Sequence, residues 1–150
     1  MRIWGLLLVL GCCLPLQAQQ PYRYRLDFTV GAKNFVDTLE IEFERNQVYL
    51  PVTINGKRLR FKLDTGSSQG VIYDDTPVDG LTPLGSIRSE DATGRSSTVP
   101  TVELPPMNIG RLTIHGYKAT LHQRQVRRRG EDGIIGFDLL CRLAATRWFL

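Results

Sequence analysis

The sequence predicts an all-β domain with one short C-terminal helix, built as a small closed or sandwiched barrel. Three observations carry that reading. Apolar and polar residues alternate with a period of two in runs such as Leu39-Glu40-Ile41-Glu42-Phe43-Glu44 and Leu59-Arg60-Phe61-Lys62-Leu63. Glycine-bearing turn signals separate the runs, and Asn55-Gly56 is the strongest of them. Residues 137–145, directly after Gly136, lack β-branched side chains and supply the one plausible helix.

A chain of 150 residues has room for one ordinary domain. Its 42% hydrophobic and 23% charged residues are those of a soluble globular chain, which excludes disordered, collagen-like and polytopic membrane classes. A net charge of +4 is too mild to argue for nucleic acid as a partner. Three cysteines exclude a disulfide framework.

The first eighteen residues are expected to be an export signal. Arg2 gives a positive start, residues 3–16 are apolar apart from glycines, cysteines and one proline, and Ala18 is a small residue at the cleavage point. On an alternative reading, Val9-Leu10-Gly11-Cys12 is a loose lipoprotein pattern, with Cys12 as the lipid anchor. Both readings take the chain out of the cytoplasm, to a periplasmic, envelope-associated or secreted location. Cys141 is then the cysteine left in the body, so no internal disulfide is expected.

Residues 19–38 read as an N-terminal extension whose first part, 19–25, is an exposed arm. Strands are expected at 26–30, 39–44 and 48–54, the last two separated by a turn at Arg45-Asn46-Gln47. A hairpin at Asn55-Gly56 leads to a strand at 59–63, and a short apolar run follows at 70–73. The stretch 74–86, rich in Asp, Pro, Gly and Thr, reads as loop. Strands at 87–92 and 96–104 flank Thr93-Gly94, and a hairpin over 107–122 is expected to turn near His115-Gly116.

Chemistry concentrates in Phe61-Lys62-Leu63-Asp64-Thr65-Gly66-Ser67-Ser68, where a hydrophobic strand runs into an acid held in a glycine-permitted turn. By itself Asp-Thr-Gly fits an Asx-turn closing a hairpin. A second motif lies downstream in Asp132-Gly133-Ile134-Ile135-Gly136-Phe137-Asp138-Leu139-Leu140.

Together the two motifs resemble the aspartic proteases, and most closely their single-lobe, retropepsin-like branch as found in bacterial envelopes. The resemblance covers about residues 39–150 and implies a retropepsin-like closed β-barrel. It makes Asp64 the catalytic acid and Thr65, Gly66 and Ser67 its active-site loop. Ser67 is expected to hydrogen-bond the outer oxygen of Asp64, and Thr65 to reach across to a partner loop. Ile134, Ile135 and Gly136 would thread beside that loop and support it. Asp91, Ala92, Thr93 and Gly94 would form the tip of a flap over the cleft, more polar than in the retroviral members. The reaction implied is peptide hydrolysis by a water activated between two carboxylates, one acting as general base and the other as general acid. No second Asp-Thr/Ser-Gly occurs in the chain, so a homodimer is expected, with terminal strands at residues 146–150 interleaving beneath the loops. Alternatives from other classes are a catalytically silent protease-fold module that holds peptides or a partner, and one lobe of a longer two-lobed protease.

Other chemistries fare worse. His115, His122 and Cys141 make no zinc pattern, so no metal and no cofactor are expected. No nucleophile elbow and no phosphate-binding glycine loop occurs. The basic run at 124–129 reads as a solvated loop, and it lacks the interleaved aromatics that single-stranded nucleic acid would need.

Overall fold

The computed structural model describes residues 27–31, 36–124 and 130–144. The expected export signal with Cys12, the arm at 19–25, most of the basic run and the terminal strand at 146–150 lie outside the described residues. Among the described residues there are eleven strands and one helix. In chain order they are β1 (Thr29–Val30), β2 (Glu42–Glu44), β3 (Gln47–Ile54), β4 (Lys57–Leu63), β5 (Gly70–Tyr73), β6 (Thr82–Glu90), β7 (Ser96–Glu103), β8 (Met107–Ile109), β9 (Leu112–His115), β10 (Lys118–His122), β11 (Gly133–Ile135) and α1 (Phe137–Ala144).

Local chemistry explains the tight turns. At Asn55-Gly56 both central residues have positive φ, 50° and 74°, as a two-residue hairpin twisted to match its strands requires. Arg45 and Asn46 do the same between β2 and β3, at φ 51° and 62°. The arginine adopts this conformation without glycine's freedom.

All strands join one sheet, in the order β1-β9-β8-β3-β4-β11-β5-β10-β7-β6, with β2 added to β3. The sheet has two halves. One holds β1 to β4 with β8 and β9, the other β5, β6, β7 and β10, and β11 is the ladder between them. It runs parallel to β4, with Ile135 opposite Leu63, and antiparallel to β5, with Gly133 opposite Ile72.

One core lies inside the curl of this sheet. Val52, Ile54, Phe61, Ile72, Ile114 and Ile135 contribute to it from five strands, and Leu139 joins it from α1. Phe28, beside β1 at one end of the sheet, packs edge-on against Tyr117, beside β10 near the other, with ring centroids 5.5 Å apart. Phe28 and β1 fall within the stretch read from sequence as an extension.

Four expectations are corrected. The all-β class with one helix holds, but the closed barrel does not: no ladder joins β1 to β6 among the described residues, so the curl is held by core packing. The run at 39–44 was expected to be a strand with Leu39, Ile41 and Phe43 on one face. Only Glu42–Glu44 is strand, and Ile41 and Phe43 are 54% and 70% exposed. The loop at 74–86 gives way to β6 from Thr82, where Pro83 and Gly85 mark a bulge and mask the strand pattern. Residues 107–122 are three strands. The hairpin turns at Gly110-Arg111, while Gly116, at φ 73°, redirects the chain so that β10 pairs with β5 and β7.

Candidate active site

Alternation along β4 sends Leu59 and Phe61 into the core and Arg60 and Lys62 to the opposite face. The chain then leaves the strand at Asp64. Beyond it the loop 64–69 bridges the two halves of the sheet, beside the end of β11.

Backbone hydrogen bonds fix that loop at both ends. Asp64 N–H donates to the Ile135 carbonyl at 3.0 Å, and Phe137 N–H donates to the Ser67 carbonyl at 2.7 Å. Within the loop, Ser67 N–H donates to the Asp64 carbonyl at 3.1 Å. Gly66 N–H donates to Asp64 Oδ1 at 3.0 Å. A Cβ at Gly66 would stand 3.2 Å from the same oxygen, so glycine is what lets the backbone approach the acid. Ile134 and Ile135 are both buried, on opposite faces of β11. Gly136 allows the start of α1 to lie against the loop, since a Cβ there would meet the Gln69 carbonyl group at 2.5 Å.

The structure thus brings Asp64, Gly66 and Ser67 together with Ile134, Ile135 and Gly136. One detail differs from expectation. The Ser67 hydroxyl donates to the Gln69 carbonyl at 2.7 Å, a local acceptor two residues on, and not to Asp64. Thr65 is exposed.

The hairpin tip between β6 and β7 is built by its own acid. Asp91 Oδ1 accepts from Thr93 N–H, from the Thr93 hydroxyl and from Arg95 N–H, at 2.8, 2.6 and 3.0 Å. These bonds, the Thr93 hydroxyl first, hold the Asp91 carboxyl below the usual carboxylate range. Gly94 takes φ 80° at the tip. Asp91, Ala92, Thr93 and Gly94 are all exposed. Among the described residues no hydrogen bond or ion pair joins this tip to the Asp64 loop.

Two cations near the loop escaped the sequence reading. Lys62 Nζ lies 2.9 Å from Asp64 Oδ2. Arg60, two residues earlier on the same face, reaches Glu42 at 2.7 Å and Glu44 at 2.8 Å and stacks on the Tyr49 ring at 3.5 Å. Its Nη1 and backbone N–H also donate to the Gly130 carbonyl and to Asp132 Oδ2, fixing the entry to β11. The signal was present in the alternation Arg60-Phe61-Lys62-Leu63-Asp64, which places both cations and the acid on one face. Arg124 leaves the solvated run to which it was assigned. Its side chain is 17% exposed, pairs with Asp75 at 2.6 Å and lies over the Tyr73 ring. His115 is exposed, and His122 shares a hydrogen bond with the Thr120 hydroxyl.

A family model described as aspartyl protease matches residues 50–139. The chain belongs to this aspartyl protease family. No curated protein matches the chain. The span matched to the aspartyl protease model begins in β3 and ends in α1, and so takes in the Asp64 loop, the hairpin tip and β11. The family resemblance drawn from the two separated motifs is borne out.

Proposed function

We propose that this chain is an aspartic endopeptidase in which two copies each supply one Asp64 to a shared site. The observation that carries the reading is the Asp64–Ser67 loop, pinned at both ends by residues 135–137, with a backbone N–H on one carboxylate oxygen. The Asp64 side chain is 36% exposed, open enough to meet a second carboxylate and a water. The sequence has no second Asp-Thr/Ser-Gly, so the second acid comes from a second copy.

In that site one carboxylate takes a proton from the water as it attacks the scissile carbonyl, and the other donates a proton to the carbonyl oxygen. Like charges so close cannot both ionise cheaply, so the pair shares one proton and titrates as a unit. The hairpin tip at 91–94 covers the peptide as a flap. Peptide and protein chains are the substrate class.

A fluorogenic peptide library, digested between about pH 4 and 7 with and without pepstatin, tests the reading in the range where paired carboxylates exchange their proton. Cleavage that pepstatin stops and that Asp64→Asn removes is expected, because the substitution keeps the shape and removes the acid. Undiminished cleavage by the Asn variant would overturn the assignment.

A further inference from the structure

Lys62 and Asp64 are two residues apart at the end of one strand, so their side chains leave the sheet on the same face. The Asp64 carboxylate is held from both sides. A neutral donor, Gly66 N–H, is 3.0 Å from Oδ1, and a charged one, Lys62 Nζ, is 2.9 Å from Oδ2. Lys62 is only 9% exposed. An ammonium so far withdrawn from water needs an acid or strong acceptors beside it, which separates this contact from an ordinary surface ion pair.

The surroundings leave Asp64 as that acid. In the β3 ladder Lys62 faces Tyr49, whose hydroxyl donates to Gln47. One strand further out, Glu42 faces Tyr49, but it is bound by Arg60, as is Glu44. On β11 the residue in register with Lys62 is the apolar Ile134. Asp132, also on that side, accepts from Arg60 N–H and lies near Arg124. Among the described residues the carboxylate that Lys62 contacts is Asp64.

We propose that Lys62 is the positioning residue of the Asp64 carboxylate and that it sets the alkaline limit of the reaction. The proposal rests on the reading of Asp64 as the catalytic acid. A two-fold pair contains two Asp64 and two Lys62. The working pair of acids holds one proton. With both lysines present, taking up that proton carries the site from neutral to positive. Without them the same proton relieves a doubly negative site. The lysines therefore make the proton easier to lose, and the working form disappears at a lower pH than it would without them. A charge of opposite sign within about 4–6 Å moves a carboxylate's titration by about 1–3 pH units.

The experiment compares full-length wild type, Lys62→Met and Lys62→Arg. Methionine keeps the unbranched stem and removes the charge, whereas arginine keeps the charge. In a pH–rate profile on one cleaved peptide, the alkaline limb of Lys62→Met should move up by about one unit or more, while Lys62→Arg keeps the wild-type limb. An unmoved limb in Lys62→Met overturns the proposal. A second measurement does not need activity. Carbon NMR of the aspartate carboxyl groups, with the Asp64 signal identified through Asp64→Asn, should show the same upward move of its titration midpoint in Lys62→Met. An unmoved midpoint overturns the proposal even in an inactive protein. If the midpoint moves but no preparation cleaves any peptide, the positioning role stands and the protease reading falls. Should Lys62→Met not fold, Lys62→Gln keeps a polar head without the charge and replaces it in both measurements.

Discussion

Replacing Gly136 by alanine drives a methyl group into the backbone of the loop that carries Asp64. The new Cβ would stand 2.5 Å from both the carbon and the oxygen of the Gln69 carbonyl, and 2.9 Å from Asp138 Oδ1. Asp138 is buried and accepts from the Tyr117 hydroxyl, and the Gln69 backbone can yield only if the whole loop shifts. Forcing one extra methyl into a packed site costs about 1–3 kcal/mol. The shift also stretches the bond from Phe137 N–H to the Ser67 carbonyl, now 2.7 Å, and a backbone hydrogen bond contributes about 0.5–1.5 kcal/mol net. Together the loss should be about 2–4 kcal/mol, a large part of the roughly 5–15 kcal/mol that holds an ordinary domain together. Urea unfolding followed by circular dichroism measures it. Gly56→Ala is the control: nothing lies within 4 Å of its added Cβ, and only its φ of 74° opposes it. That strain costs about 1–2 kcal/mol and leaves the site alone. Amide shifts of residues 64–69 should therefore change in Gly136→Ala and not in Gly56→Ala. A Gly136→Ala protein within about 0.5 kcal/mol of wild type, with those shifts unmoved, would refute the close approach on which the loop's support was argued.

Two further outcomes are expected. Asp91 has its carboxyl held below its usual value of 3.8, so the hairpin-tip bonds contribute fully above that value and are lost as pH falls through the lower folded one. The amide proton shifts of Thr93 and Arg95 should move together on acidification below 3.8, and a tip whose shifts ignore acid would contradict the bonding described. If each chain holds half a site, activity per subunit should fall across a dilution on the order of a thousandfold, as mass action dissociates the pair. Constant specific activity from a monomer would mean that the second acid lies within the chain.

Much of the site was legible because it depends on local rules. The hairpin at Asn55-Gly56 follows from positive φ, and β4 follows from period-two alternation. Residues 64–67 and 134–136 were paired through their likeness to a family, and their hydrogen bonds show them side by side. What escaped depended on tertiary context. Nothing local to residues 107–122 reveals that Gly116 redirects the chain toward β5, because that pairing is decided by residues nearly fifty positions away. Ile41 and Phe43 carry a core pattern but sit beyond the core, Phe43 on a strand paired along only three residues and Ile41 just before it. Lys62 read as the polar half of an alternating strand, and only its withdrawal from solvent marks it as different. The barrel was inferred from likeness, and closure depends on strand edges that no alternation pattern specifies.

The position of β11 bears on how the molecule reaches its folded state. Its two neighbours, β4 and β5, belong to the middle of the chain, whereas Gly133–Ile135 is made some sixty to seventy residues later. Until it docks, the facing edges of β4 and β5 are bare templates that another chain could pair with. Insertion must bear the loop-closure entropy of bringing those distant segments together before any ladder bond forms in return. Folding of this domain should therefore be slow for its size, with the longest-lived intermediate split between the two halves of the sheet. That species, more than the finished molecule, is where aggregation should begin.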